Sequence, residues 1–388
     1  MKLANLLLFL GTILTCKCFS GRENNFTTEF LYFTQNETAG HVAVSPYGVW
    51  NMLSHLKLLT AGNTKKQLQR ALFLPKSCIE LIYGLKNLSD VILGSNSENT
   101  TVFIRNYMVL DENVSSNYTD FEKEAKILGM NIISLDLNER YTAVIVANRI
   151  MFDEGQELSF KVPKLIKTDD IHPNGITLAN INRFQYVWRN KFTNVKVENF
   201  YDENNHQIGK VNMMFQRVNA AYAYITPLRS QVLELPYGTD GKYAMLLITP
   251  NPKTKLNDVF QKMTTFTYGQ ILNILNMQPL TVVDVKLPRF EIHTNYALNV
   301  PLSKMGVFDL FEKKYSEFYG VPRNSLFVPA ILQHVSMVVN ELGVHSNTVQ
   351  PASKTVEFSA SRPFLYFVIE KTTDTIVLSG VYSKPTVY

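Results

Sequence analysis

Cysteine is scarce in this chain. Among its 388 residues only Cys16, Cys18 and Cys78 carry a thiol, and the first two sit inside an N-terminal apolar run. That scarcity excludes a disulfide-stapled scaffold and any zinc site built from paired Cys-x-x-Cys ligands. The sequence also lacks a Gly-x-Ser-x-Gly elbow, His-Glu-x-x-His, a glycine-rich phosphate loop and a dinucleotide fingerprint. The usual hydrolase, metalloprotease and nucleotide-binding signatures are therefore absent. Seven histidines (His41, His55, His172, His206, His293, His334, His345) stand singly, none with a Cys or His at ligand spacing. No metal and no cofactor is expected, and the chain reads as a non-enzyme.

Blocks of basic residues interleaved with aromatics are missing as well, and a net charge of +5 is modest for this length. Nucleic acid is not an expected partner. Lys65, Lys66 and Arg70 read as the solvated face of a helix. Beyond the N-terminus no stretch approaches the ~18 consecutive apolar residues that a membrane span needs, so no membrane insertion is expected. The N-terminus itself has Lys2, then LANLLLFLGTILTC, then permissive residues around Cys18, Ser20 and Gly21. This order predicts a cleaved secretory signal peptide over residues 1–20 and an extracellular mature chain. Only Cys78 would then remain, and burial is the expected state of a free thiol. Six Asn-x-Ser/Thr sequons, at Asn25, Asn36, Asn87, Asn99, Asn113 and Asn117, predict a surface glycoprotein.

What is present is apolar material, 46% of the residues, enough for a large core. In SPYGVWNMLSHLKLLTAGNTKKQLQRAL, Ser45 caps a first helix, Pro46 suits its first turn, and Val49, Trp50, Leu53 and Leu56 recur at helical spacing. Thr64 and Gln67 predict a capping box for a second helix. VFIRNYMVL, from Val102 to Leu110, reads as a central strand, and Ala143 to Phe152 turns helical again. QVLELPYGTDGKYAMLLITP and the C-terminal FLYFVIEKTTDTIVLSGVY both read as hairpins. Strands and helices mix without a βαβ rhythm, which argues for an α+β chain with mainly antiparallel sheets.

These segments stand in an order similar to that of the serpins. VAVSPYGVWNMLSHLKLLTAGNTKKQL resembles the family's early helical signature. LANINRFQYVWRNKF resembles a central-sheet strand, with Asn180, Phe184, Trp188 and Phe192 at family positions. VNMMFQ, QVLELPY, VKLPRFEI and LSKMGVFDLF follow, then LFVPAILQHVSMVVNELG, and SRPFLYFVIEKTTDTIVLSGVYSKP resembles the C-terminal signature. The pattern looks like that of divergent insect members. The resemblance implies a single domain over residues 21–388, with three β-sheets, a large central sheet, about nine helices and an exposed reactive loop at 344–357. It also implies a monomer that offers this loop to an extracellular serine protease. The protease cleaves the loop, an acyl-enzyme forms, the loop inserts into the main sheet, and hydrolysis stalls. By position, Ser45, Asn180 and His334 would form a polar sheet-opening cluster, with Trp188 near the top. Glu341, Gly343, Val344 and Ser346 would be the hinge.

Several residues depart from that pattern. The family's hinge is a run of small residues, because alternate side chains become buried between two strands. Here it reads Val344, His345, Ser346, Asn347, Thr348, Val349, Gln350. Leu342 replaces an acidic residue, and Pro351 cannot donate a ladder hydrogen bond. The helix near Phe152 lacks the family's Thr-Asn motif. The loop is also roughly eight residues short, which removes about 25 Å of reach at ~3.3 Å per residue. Lys354, followed by Thr355, reads either as a trypsin-like cleavage point or as an ordinary solvated lysine. Two functions stay open: a protease inhibitor, and a non-inhibitory binding, carrier or decoy protein on the same scaffold.

Overall fold

The structure, a computed structural model, describes residues 2–38, 40–94, 100–117, 119–157, 162–346 and 355–385, with the side chains of 2–16, 18, 115–117, 119, 121 and 124 outside that description. Lys354 and Asn99 lie outside the described residues. Among the described residues, ten α-helices and three sheets make an α+β fold.

The helix Pro46–Leu59 begins as its sequence dictates. Ser45 Oγ accepts the Gly48 N–H, proline occupies the first turn, and Trp50 Nε1 donates to the Leu72 carbonyl at 2.9 Å. Nearly every residue of this helix is buried, because sheets and helices enclose it on all sides. The expected capping box of the next helix, Gly62–Ala71, does not form. Thr64 Oγ1 instead accepts the Glu317 N–H, and Gln67 Oε1 accepts the N–H groups of Phe308 and Asp309. A tertiary loop has taken the two side chains that the local motif would have used.

The largest sheet has nine strands. The 19-residue strand Gln207–Ile225 unites it: its last residues pair with Ser230–Pro236, and its earlier residues pair with Asn194–Tyr201 and Thr281–Pro288. Both expected hairpins form within it. Ser230–Pro236 joins Tyr243–Pro250 through Gly238 and Gly241, both at positive φ, and Phe364–Glu370 joins Thr375–Tyr382. These C-terminal strands are buried along their whole length and form the floor of the core.

The five-stranded sheet runs in the order Phe290–Ala297, Phe327–Val339, Gly175–Tyr186, Thr100–Asp111, Asn131–Leu135. Its inner face rests on Pro46–Leu59. Its outer face packs Ala179, Ile181, Ala330 and Leu332 against Ala143, Ala147 and Met151 of the helix Arg140–Glu157.

The N-terminal helix, Lys2–Asn36, joins the core from Phe19 onward. The Phe19 ring packs edge-on to Trp50, and Ser20 Oγ donates to the Thr373 carbonyl. A cleavage boundary after residue 20 would therefore remove two packed residues. Glu23 is fully buried, with one carboxylate oxygen accepting from Thr27 Oγ1 and the other from the Ile376 N–H. Burial raises its pKa from 4.5 to about 8.

Cys78, expected to be buried, is exposed at the start of the helix Cys78–Leu93. Cys78 stands at helical spacing from the buried Leu81 and Leu85, but it is the first residue of the helix, in the exposed stretch 76–80 that precedes the first buried turn. Among the described residues no helix is long and apolar enough to cross a membrane.

Two predictions follow from the N-terminal packing. A Cβ added at Gly84 would stand 2.2 Å from the Phe19 ring. Gly84→Ala should therefore cost about 1–3 kcal/mol in urea unfolding of a chain that retains Phe19, and little in a chain trimmed beyond it. Glu23 keeps its proton to about pH 8 when folded, whereas the unfolded chain releases it near the ordinary value of 4.5. Its contribution is thus complete below that lower value and is lost as pH rises through about 8. Glu23→Gln should flatten this part of the pH–stability curve, read as denaturation midpoints from pH 4 to 9.

Candidate functional site: the central strand pair and the loop above it

The strands Phe327–Val339 and Gly175–Tyr186 run parallel, with Ile331 opposite Leu178 and Gln333 opposite Asn180. Their other neighbours, Phe290–Ala297 and Thr100–Asp111, run antiparallel to them. A strand entering between the central two would be antiparallel to both, the geometry that a chain returning from the top of Phe327–Val339 supplies.

Below this junction lies a buried polar network. Gln333 Nε2 donates to Asn180 Oδ1 at 2.7 Å and to the Ser45 carbonyl at 2.9 Å, while Gln333 Oε1 accepts the Ser45 N–H at 3.1 Å. Asn182 Nδ2 donates to Asn180 Oδ1, and Asn180 Nδ2 donates to Asn106 Oδ1. Gly48 admits this cluster, because a Cβ there would stand 2.6 Å from Asn180 Oδ1.

Ser45 and Asn180 are thus brought together, as expected from their positions, but His334 is not with them. Adjacent residues of a strand point to opposite faces. Gln333 faces the helix Pro46–Leu59, and His334 faces outward with Ala330 and Leu332, its Nδ1 2.7 Å from Asn295 Oδ1. Burial lowers the His334 pKa to about 4, so its ring is neutral. The strand is buried on both faces, and its residues therefore carry no polar–apolar alternation that would have revealed the phase.

The hinge is tied outside the sheet. Gly343–His345 forms a short parallel ladder with Trp188–Asn190. Trp188 N–H donates to the Leu342 carbonyl at 3.0 Å, Lys191 N–H to His345 at 3.0 Å and Phe192 N–H to Glu341 at 3.2 Å. Trp188 Nε1 adds a bond to the Asn340 carbonyl at 2.6 Å, and its ring stacks on Tyr237 at 4.5 Å. Gly343 is obligatory in this arrangement, since a Cβ would meet Lys191 N at 2.3 Å. Glu341 lies 3.7 Å from Arg289, Leu342 is exposed, Val344 is half-buried and Ser346 is exposed. On the C-terminal side Thr355 is exposed, and Val356–Ser359 pairs in parallel with Thr281–Pro288. Of the sequons, Asn25, Asn36 and Asn113 are exposed and Asn87 is half-buried, while the side chain of Asn117 lies outside the described residues.

Replacing Gln333 by Leu would strand the Ser45 N–H without a partner, at a cost of about 1–3 kcal/mol. Gln333→Leu should accordingly lower the urea midpoint more than His334→Leu does.

Comparison with known proteins agrees with this architecture. Residues 22–385 match the family model described as "Serpin (serine protease inhibitor)". Over 92% of its length the chain is 24% identical to the human leukocyte elastase inhibitor, of which 96% is covered. An uncharacterized serpin-like protein of Methanosarcina acetivorans is 26% identical over 93% of this chain and 85% of its own. Among solved structures, the Manduca sexta serine protease inhibitor serpin-12 superposes with a TM-score of 0.81 at 20% identity, covering 94% of this chain and 98% of that one. Human thyroxine-binding globulin superposes with a TM-score of 0.81 at 19% identity, covering 96% of this chain and all of the other. A family match spanning nearly the whole chain, joined to this sheet order and this loop, shows that the protein belongs to the serpin family.

Proposed function

We propose that the protein is a secreted serpin that inhibits a trypsin-like serine protease, with Lys354–Thr355 as the scissile bond. The observation that carries this reading is the parallel central pair, Phe327–Val339 beside Gly175–Tyr186, with the chain leaving the first through Gly343–His345, which pairs outside the five-stranded sheet. Cleavage after Lys354 would free the segment from Val344 onward to enter as an antiparallel strand, exchanging one parallel ladder for two antiparallel ones. The lysine side chain supplies the charge that an acidic specificity pocket selects. The signal peptide read over residues 1–20 supports an extracellular partner. Asn25, Asn36 and Asn113 are the sequons most open to glycan attachment.

A second reading is a non-inhibitory binding or decoy protein, and the hinge favours it. The eleven residues from Val344 to Lys354 reach about 36 Å as a strand, against about 43 Å for the 13-residue Phe327–Val339 beside them. The hinge must also give up its ladder with Trp188–Asn190 before it can enter.

Incubation with trypsin separates the two readings. Inhibition predicts an adduct of protein plus protease that survives denaturing electrophoresis and vanishes in Lys354→Ala. Cleavage at Lys354 with no adduct would overturn inhibition and leave the decoy reading in place.

A further inference from the structure

A cavity of about 800 Å³ opens beside the polar network, between the helices Pro46–Leu59 and Cys78–Leu93 and the strand Thr100–Asp111. Its floor is polar. Tyr47, Asn51 and His55 recur every fourth residue along one helix face, and Ser89 faces them from the other helix. Tyr47 Oη lies 2.9 Å from Ser89 Oγ, to which Asn51 Nδ2 also donates at 3.2 Å. His55 also lines the cavity, its Nδ1 buried and without a hydrogen-bond partner among the described residues. Burial lowers its pKa to about 4, so a neutral imidazole faces the cavity.

The upper wall is apolar, formed by Ile82, Leu93, Ile104, Ile127 and Leu128. Ile127 and Ile82 remain exposed for 82% and 45% of their surface, an unusual state for isoleucine in a folded chain and a mark of surface awaiting a contact. Two cations, Lys86 and Arg105, meet two anions, Asp90 and Glu154, and the second pair is joined at 3.1 Å. The lining therefore has no net charge. This volume suits a small molecule rather than a peptide, and the lining suits an apolar body with a hydrogen-bonding head.

The floor continues directly into the network under the central strands. Asn106 Nδ2 donates to Asn51 Oδ1 at 3.2 Å, and Asn106 Oδ1 accepts from Asn180 Nδ2 at 2.7 Å. Asn106 and Asn180 are direct partners in a ladder of eleven matched positions, so Thr100–Asp111 must travel with Gly175–Tyr186 if the central pair separates. That movement would slide Ile104 to Asn106 over Asn51 and reshape the cavity wall.

We infer that this cavity is a binding site for an uncharged amphipathic small molecule, and that its occupant holds the five-stranded sheet closed. A ligand that fits the closed shape shifts the equilibrium against opening by its difference in affinity for the two shapes. The coupling half rests on the sheet's capacity to accept a strand, as proposed above; the binding half does not.

The probe is N-phenyl-1-naphthylamine, an uncharged two-ring fluorophore with one N–H donor, titrated into the full mature protein. Binding should saturate at one site per chain, weaken at least tenfold in Ile82→Trp, which fills the cavity mouth, and stay unchanged in Ile79→Trp, on the same helix outside it. Equal binding by parent and Ile82→Trp would overturn the site. For coupling, a synthetic peptide of residues 344–354 is added and its uptake followed by native electrophoresis. Saturating probe should slow uptake at least threefold in the parent and leave it unchanged in Ile82→Trp. Uptake unaffected by bound probe would overturn the coupling. No uptake even without probe would overturn both strand acceptance and the coupling, while the titration alone would still decide the site.

Discussion

Two long strands, Phe327–Val339 and Gly175–Tyr186, meet along a single parallel ladder in a sheet whose remaining neighbours could all move as units. Parallel ladders are slightly weaker per residue than antiparallel ones, and this one carries a polar network set among its apolar core residues. Ser45, Asn180, Asn182 and Gln333 tie it to the helix beneath through short hydrogen bonds. Buried polar groups of this kind make the closed sheet specific, because each bond broken on opening leaves a desolvated partner behind. The closed state is therefore held by geometry that has discrete alternatives, which is what a switchable sheet requires.

The elements around that junction divide into those that brace it and those that would compete to enter it. Pro46–Leu59 braces from below, and Arg140–Glu157 covers the outer face. Above, the hinge occupies a ladder of its own with Trp188–Asn190, stabilised by the Trp188 indole bond to Asn340 and the stacked Tyr237. Under the proposed inhibition, entry of the hinge would exchange this ladder for new ones. The balance between the two depends on how many residues the loop can bring, and its shortness weighs on that side.

The cavity beside Asn51 and Asn106 adds a second lever on the same junction. One chain of hydrogen bonds passes from Ser89 through Asn51 and Asn106 to Asn180 and Gln333. Contact with the cavity and contact with the central strands are therefore not independent, and whatever fills one bears on the other.

Local chemistry was legible in the residues themselves. Ser45 and Pro46 announced a helix start, Gly238 and Gly241 a turn, and Val102 to Leu110 a buried strand; each is found where it was read. Such features depend on a few neighbouring residues and on periodicity, which the sequence carries directly. The capping box at Thr64 and the face taken by His334 depended on partners far along the chain, and the exposure of Cys78 on where the core begins along its helix. A strand buried on both faces has no alternation to set its phase, so only the register with Gly175–Tyr186 decided that Gln333, and not His334, would reach Asn180 and Ser45. Order along the chain told which family of shapes to expect; which side chains meet at its centre was settled by tertiary packing, because hydrogen-bond partners there come from segments more than a hundred residues apart.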